Sequence, residues 1–559
     1  MGGLFTKLNF SYEQDTPLKT AIIYFKNLLL TGKKIEDQSI AEVPIKFIPK
    51  RLRKYLFKSK DIKENNETQD GEVTQTEYIC GRLYETILYL RLQKNIGSEL
   101  FITDSKVYRS LEDELIPLDV WNRDQNTIIA NLPNCLASSS IEEMLQSLEI
   151  ELEGLYVTVN KRIEQGENKH IKVNAKESNW KLPYQKQDID INNPFFEQIP
   201  TIDLSNVILF VAEQTNFMDN FSHVLSKNTK TSAKLEHIIA YTIAAGTGLG
   251  KGKIAESSDV TKAELDMTEH NFIRLETIHN ANDTIINKIA DLPIFKHFNL
   301  AEYGIHGSVD GKKIEVKYQT AKARRSSKYF GGSSMGVVDY GLIANHVPIN
   351  SIIIGANDHE SQYVLDIYLN NTSDIKPTAI SSDMHGINRF NGGLLYLFRC
   401  QFMPRFTRLY KTVTDSLIGF KDKTAHEKML IKPAKTVSKI SIIKQWSYIR
   451  RIIASLATKQ LSQNLIVKKL SQSKNNSIMN ALAEFDNIIM SIYMLKYIDD
   501  VNVRKVVQRA LNRGEAFNQL ISAIMKISGK QILGRTELEL SISNECNRFL
   551  AFFHESLCY

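Results

Sequence analysis

Apolar positions along the chain fall into two regimes. From Leu18 to Leu29, through Ile22, Ile23, Phe25 and Leu28, and again from Tyr78 to Gln93, through Leu83, Ile87 and Leu90, they recur every three or four residues and predict helices. Val503, Val506, Val507, Ala510, Leu511, Leu520, Ile521 and Ile524 keep that period over a longer span, which predicts an amphipathic helix from Val503 to Ile527. In the middle of the chain the runs shorten. Val207-Ile-Leu-Phe-Val reads as a strand, and Ser258 to Phe295 as a helix pair. Asp310-Gly311 lies between two alternating segments, with Lys313-Ile-Glu-Val-Lys-Tyr as the second, so a hairpin is expected there. Ser351-Ile-Ile-Ile-Gly and Pro377-Thr-Ala-Ile-Ser-Ser read as further strands and Tyr363 to Leu369 as a short helix, which makes a mixed sheet with helices.

Polar and glycine-rich stretches separate these elements. Asp61 to Gln75 reads as a loop, and Val43 to Lys54 is basic and punctuated by proline. Ala245-Gly-Thr-Gly-Leu-Gly-Lys-Gly-Lys invites a phosphate-loop reading, but that loop needs glycine five residues before its Gly-Lys and Ser or Thr after it. Ala245 and Gly252 stand at those places beside Gly250-Lys251, so a helix end and a turn are expected instead.

Length bounds the answer to two to four domains for 559 residues. No run approaches the eighteen or so apolar residues of a membrane span, and Met1-Gly-Gly-Leu-Phe-Thr-Lys has no signal-peptide core, so a soluble intracellular protein is expected. Cys80, Cys135, Cys400, Cys546 and Cys558 are scattered without a Cys-x-x-Cys pair, which suggests neither a disulfide framework nor a zinc site. Net charge changes the picture more. Residues 405–474 hold sixteen Lys and Arg against three acids, a balance of +13 within a chain whose total is +7, so the remainder sums to −6. Phe406, Tyr410, Trp446 and Tyr448 interleave those cations, a composition suited to phosphate contacts and base stacking.

Candidate chemistry rests on three acids. Taken singly, Asp310 is an ordinary Asp-Gly, Asp383 a strand-end cap and Glu515 a helix-surface acid. Taken together, two carboxylates from strands and one from a late helix are the hard oxygen ligands a two-metal phosphoryl-transfer site requires.

Asp310-Gly, Thr320-Ala-Lys-Ala-Arg-Arg-Ser-Ser-Lys-Tyr-Phe-Gly, Tyr363-Val-Leu-Asp, Ser382-Asp-Met-His-Gly, Phe402-Met-Pro-Arg-Phe and Leu511-Asn-Arg-Gly-Glu, in that order, closely resemble the transposases of the Tn3 family of replicative transposons. The stretch Pro44 to Arg53, Asp203-Leu, Thr215-Asn-Phe, Phe221-Ser-His and Gly246-Thr-Gly-Leu-Gly extend the resemblance over nearly the whole chain. It implies an α+β, RNase H-like catalytic core of the Asp-Asp-Glu type, interrupted by a helical insertion and preceded by a mainly helical scaffold. In that frame residues 1–200 are scaffold and DNA-contact region, 201–300 a helical linker and dimerisation region, 301–404 the first part of the core, 405–500 the basic helical insertion and 501–559 the last part with the catalytic helix. The catalytic and metal-binding residues implied are Asp310, Asp383 and Glu515, with Glu537, Glu539 and Glu545 as rivals for the third place, and Mg²⁺ or Mn²⁺ as cofactor. Arg324, Arg325, Lys328, Arg405, Arg408, Arg450 and Arg451 are the expected DNA contacts, and His306 and His385 the expected structural histidines near the site.

The activity implied is cleavage of transposon 3′ ends and strand transfer into target DNA, replicative and cointegrate-forming, by a homodimer on double-stranded DNA in the bacterial cytoplasm at the nucleoid, with no membrane partner. Chains of the family are longer at both ends, so a shortened or inactive copy is expected. The alternative is a non-catalytic DNA-binding or dimerisation fragment that modulates a full-length transposase.

Overall fold

The computed structural model describes residues 8–555 apart from 11–15, 64–72, 97–99, 103–104, 106–108, 133–134, 139, 175–178, 184–202, 226, 228–230, 301–303, 333, 473–476, 529–530 and 533. The domain boundaries expected at 200 and 301 therefore lie outside the described residues, as does Cys558. The chain divides into two compact units, Met1–Gln125 with Ala454–Met479, and Asn126–Ile453 with Asn480–Tyr559.

In the first unit α1 (Pro17–Thr31) begins where the Thr16 hydroxyl accepts from the Lys19 amide and Pro17 presets the first turn, and it ends at Gly32, whose φ of 67° continues no helix. β1 (Phe57–Lys63) and β2 (Val73–Ile79) pair antiparallel. They take up both flanks of the stretch expected to be a loop; residues 64–72 are outside the described residues. The helix α2 (Gly81–Asn95) follows. Ala21, Ile22, Phe25 and Leu28 of α1 and Tyr84, Leu88 and Leu92 of α2 share one apolar core, as their helical spacing requires.

The second unit holds the sheet. Its helices before the sheet are α3 (Ile141–Glu164), α4 (Leu204–Thr215), α5 (Leu235–Gly246), α6 (Lys251–Ser257), α7 (Lys262–Phe272) and α8 (Leu275–Asp291). The expected strand at Val207 is thus a helix. A five-residue apolar run cannot separate the two by periodicity, and here Val207, Ile208 and Val211 are buried while Leu209 and Phe210 face water, which is helical spacing.

The strands are β3 (His306–Val316), β4 (Met335–Ala344), β5 (Val347–Gly355), β6 (Ala379–Ser381), β7 (Gln401–Phe402) and β8 (Gln531–Ile532). Their order is β5-β4-β3-β6-β7, with β8 pairing the far end of β3. β3, β4 and β5 run antiparallel, whereas β6, β7 and β8 join in parallel. The short helices α9 (Val364–Leu369) and α10 (Asn391–Leu397) connect the strands, and α11 (Leu409–Ser416), α12 (Lys439–Ala457), α13 (Ser477–Asp499), α14 (Val501–Lys526) and α15 (Glu537–Glu555) complete the chain. Ile314, Val316, Val337, Ile343 and Ile353 of the sheet pack on Phe517, Ile521 and Met525 of α14 and on Leu540 and Ala551 of α15. Among the described residues α13 is long and apolar enough to cross a membrane, yet 67% of its apolar window is buried inside the protein, as in a core helix.

The expected hairpin at Asp310-Gly311 is absent: β3 passes straight through it, with Asp310 opposite Gly341 and Gly311 opposite Tyr340 on β4. A two-residue turn needs positive φ, and Gly311 does not adopt it. Its bare Cα makes room for the Glu360 carboxylate, which would collide with any Cβ there. β4 carries Gly336, Asp339 and Gly341 among its apolar residues, so no clean alternation announces it.

The glycines of the failed phosphate loop have a packing role. Gly246 ends α5 against α15, where a Cβ would lie 2.9 Å from the backbone of Cys546 and Asn547. Lys251 is bound by Asp266 and Glu269. Gly246→Ala should therefore lower the melting temperature, at a cost of about 1–3 kcal/mol. Gly252→Ala, which meets nothing within 4 Å, should leave it unchanged or raise it. Scanning fluorimetry of the two variants tests this; equal effects would refute the packing account.

Candidate active site

Side chains alternate along β3, so Ser308, Asp310, Lys312, Ile314 and Val316 point to one face. That face is covered by α14. Gly514 sits on Ser308, where a Cβ would come within 2.8 Å of the hydroxyl oxygen. One turn on, the Asn518 amide donates to Asp310 Oδ2 at 2.9 Å, and Lys312 Nζ donates to the Asn518 carbonyl at 2.6 Å and to Ser522. The amphipathic period of α14 thus delivers a polar stripe onto the polar half of β3 and an apolar stripe onto Ile314 and Val316.

Asp383 arrives from the neighbouring strand. β6 pairs in parallel with β3, Ser381 opposite Ser308, and two residues further along the same register bring Asp383 level with Asp310. Asp383 ends the strand and caps the single turn Met384–Gly386, its Oδ1 accepting from the His385 amide at 2.8 Å. Asn388 and Asn391 donate to the Ser361 carbonyl at 2.7 and 2.9 Å, and Asn391 also to the Gly386 carbonyl at 2.8 Å. The Asp383 turn and the segment carrying Glu360 are therefore tied together.

Burial first, then the charges of Glu360 and Asp383, push the Asp310 carboxyl up to about 6, against the Gly311 amide that holds it down. Tyr340 is raised well above its ordinary value by burial and by the same three carboxylates, and its hydroxyl is buried without a partner among the described residues. Lys313 pairs with Glu360 at 3.3 Å. Sequence reasoning missed Glu360, Asn518 and Tyr340. Asn518 stands one turn after Glu515 and could have been found from that spacing; Glu360 and Tyr340 meet Asp310 through the tertiary fold.

Glu515 follows Gly514 on α14, and its side chain is exposed. The structure brings Asp310 and Asp383 together and lays the helix bearing Glu515 over them, but it does not draw the three carboxylates into one cluster. Among the described residues no group of three or more His, Cys, Asp or Glu is close enough to hold a metal ion. The two aspartates do fit a divalent cation: they are hard oxygen donors on adjacent strands whose mutual repulsion a cation would relieve. The rivals for the third place are engaged elsewhere. Glu537 accepts from the Lys322 amide at 2.6 Å and Glu539 from the Arg535 amide at 2.8 Å. Glu545 is buried with Arg548, His279 and Asn282. His306 is buried, bonds Ser381 at 2.8 Å and is pushed down to about 3 by burial and by Arg513, so it is neutral and structural. His385 is exposed.

The expected DNA contacts separate by exposure. Arg324, Arg325, Lys328 and Arg408 are exposed, and Arg324 and Arg325 pair with the start of β4 at Gly336 and Met335, five residues along that strand from Gly341, which lies opposite Asp310. Arg405 is half-buried and its amide bonds the Ser382 carbonyl at 2.9 Å. Arg450 is half-buried. Arg451 is 2% exposed, which corrects its expected role, since a phosphate cannot reach it. Two of the interleaved aromatics are core as well. Trp446 packs on Phe485, and Phe406 on Tyr493 and Tyr497. Tyr410 keeps 39% of its surface exposed.

A family model described as the Tn3 transposase DDE domain matches residues 206–553. The transposase for transposon Tn1546 of Enterococcus faecium is 25% identical over 535 residues, 93% of this chain and 50% of its own length. The transposase for transposon gamma-delta of Escherichia coli (strain K12) is 24% identical over 453 residues, 79% and 44% respectively. That for transposon Tn2501 of Escherichia coli is 26% identical over 492 residues, 86% and 46%. The chain spans about half the length of the curated relatives it matches.

The buried Glu545 cluster carries a pH signature separate from the aspartates. Burial raises this carboxyl, but Arg548 and His279 more than offset that and hold it down at about 2, from an ordinary 4.5. A depressed acid stabilises the fold above its unfolded pKa and loses that contribution as pH falls through its folded pKa. Wild type should thus lose stability between about pH 4.5 and 2. Glu545→Gln should lose less over that window, while costing roughly 3–5 kcal/mol at neutral pH because Arg548 is left unpaired. Urea unfolding at several pH values checks both.

Proposed function

The chain belongs to the family of the Tn3 transposase DDE domain, and from that premise we propose that it performs the DNA chemistry of transposition: cleavage at transposon 3′ ends and transfer of the freed 3′-hydroxyl into target DNA. The observation that carries this reading is the side-by-side placement of Asp310 and Asp383 on adjacent strands beneath the helix that bears Glu515. The DDE domain implies an RNase H-like core, and the sheet order, with three antiparallel strands followed by parallel additions on the side of β3, fits that core.

In this mechanism Asp310, Asp383 and Glu515 would hold Mg²⁺ or Mn²⁺, which when bound would lower the pKa of the attacking hydroxyl and neutralise charge on the phosphate. The Asn518 amide holds Asp310 Oδ2 and so fixes the orientation of that carboxylate. Asn388 and Asn391 hold the Asp383 turn. Glu515 is exposed on the same helix, one turn before the Asn518 that bonds Asp310. Arg324, Arg325 and Lys328 anchor the DNA backbone near β3, the phosphate contacts fixing register rather than reading sequence. The product class is a replicative strand-transfer intermediate, formed by a homodimer acting on two DNA segments in the cytoplasm.

A second reading, a non-catalytic DNA-binding or dimerisation fragment, draws support from the exposed Glu515 and the absence of a three-acid cluster among the described residues. Nicking and strand joining with pre-cut transposon ends and Mg²⁺ separate the two. Wild type should nick and join, and Asp310→Ala, Asp383→Ala and Glu515→Ala should each fall to background. Failure of every protein, with DNA binding retained, would establish the second reading.

DNA affinity should fall steeply with salt, the logarithmic slope counting the phosphates neutralised. Replacing Arg324 or Arg325 by Ala should lower that slope by about 1 each. Arg451→Met should leave it unchanged. Filter-binding titrations over a salt series would show a flat response if this basic surface takes no part.

A further inference from the structure

Beyond the acids, the second unit contains a cleft of about 850 Å³ between α11, the start of α14 and the short strand Asn179–Lys181. Its charged lining is Lys181, Arg405, Arg408, Lys411, Arg504 and Lys505, with no acid among the lining residues. None of these six cations forms an ion pair among the described residues. Elsewhere in the basic segment Lys439 is bound by Glu149 and Lys469 by Glu114, whereas the cleft sets six cations around one concavity.

The inner surface is apolar and aromatic. Trp180 is buried and meets Tyr410 edge to face, ring centroids 5.5 Å apart, and Tyr410 exposes 39% of its surface. Phe406 and Leu409 lie deeper. Cations around an aromatic floor are the combination that holds a nucleic-acid strand with unstacked bases. A concavity of this size accepts one nucleotide removed from the stack and excludes a duplex, whose bases stay inside the helix.

The position matters as much as the lining. β7 pairs with β6 with Gln401 opposite Ala379, and the register continues until the Arg405 amide bonds the Ser382 carbonyl, which brings Arg405 level with Asp383. Arg405 also reaches Gln508 at 3.4 Å. Gln508 precedes Glu515 by two helical turns, so both lie on one side of α14, on the order of 10 Å apart along the axis. One wall of the cleft thus comes level with Asp383 through the Arg405 backbone, and the other runs along α14 toward Glu515.

We propose that this cleft binds an unpaired DNA strand and takes one flipped-out nucleotide within two or three steps of the phosphate that is cut. The placement beside the cut rests on the function proposed above; the binding of unpaired DNA does not.

The test uses the full chain without metal, so that it reads binding apart from catalysis. Anisotropy titrations compare a labelled short oligodeoxythymidine with a blunt duplex of equal length. Tyr410→Ala and, separately, Lys505→Glu should each weaken single-strand binding about 10-fold while leaving duplex binding within about twofold. Tyr410 and Lys505 are exposed, and unchanged melting temperatures confirm that the variants fold. In a duplex carrying the cleavage site, 2-aminopurine placed within three positions of the cut should brighten on binding, and Tyr410→Ala should abolish that. Equal losses on single strand and duplex, or no loss on either, would overturn the proposal. Brightening at no position would overturn the flipped nucleotide. An inactive wild type that still prefers single strands would refute the catalytic reading and leave the strand-binding cleft standing.

Discussion

The site depends on one contact, the seating of α14 across β3. A helix can approach a strand this closely only where a side chain is missing, and Gly514 supplies that gap over Ser308. With the helix seated, its period sets the remaining contacts: Asn518 falls on Asp310, the Asn518 carbonyl and Ser522 fall on Lys312, and Phe517, Ile521 and Met525 fall on the apolar end of the strand. Burial of the apolar end holds the polar end in place, at roughly 1.5–3 kcal/mol for each large side chain removed from water. Lys312 offsets its own burial with two hydrogen bonds into α14, and burial pushes its pKa down to about 8.

The sheet supplies the second constraint. A parallel partner on one side of β3 and an antiparallel one on the other leave Asp310 in mid-strand and Asp383 at a strand end, level in register. Such a pair is costly. Burial and the charges of Glu360 and Asp383 push Asp310 upward, and the same carboxylates act on the buried Tyr340 hydroxyl. Burying like charges destabilises a fold unless something else depends on the arrangement, and strain of this kind collects where chemistry is done. Gly311 belongs to the same design, since its missing side chain is what lets Glu360 come so near.

Much of this was legible beforehand, for identifiable reasons. The long period of α14, the helix pair α7 and α8, and the strand ending near Asp383 were carried by patterns longer than their competing signals. Val207 failed because five apolar residues fit either geometry, and β4 was missed because its glycines and Asp339 break the alternation. Asp310-Gly311 misled for a different cause: the dipeptide is a turn signal in isolation, and its use here as a gap for Glu360 is a tertiary fact with no local trace. The family resemblance pointed to Asp310, Asp383 and Glu515, but periodicity alone could not have said that the first two would sit level or that Asn518 would hold one of them.

Charge shows the same limit more sharply. A balance of +13 over seventy residues describes a segment, not a surface. Folding assigns its members to separate tasks: Arg451 goes into the interior, Lys439 and Lys469 neutralise glutamates, and Trp446 and Phe406 fill the core. What remains for a polyanion is the subset that folding leaves uncompensated, and three of its members, Arg405, Arg408 and Lys411, line one cleft where β7 leads into α11 and α14 begins. That location comes from topology. The strand after Asp383 must pair beside it, so the first cations of the basic segment are delivered to the edge of the aspartate pair, and the helix that carries Glu515 brings Arg504 and Lys505 to the opposite wall. The same two connections that would assemble the acids also line the neighbouring cleft with positive charge, so attraction of a DNA strand and placement of the acids arise from a single arrangement of the chain.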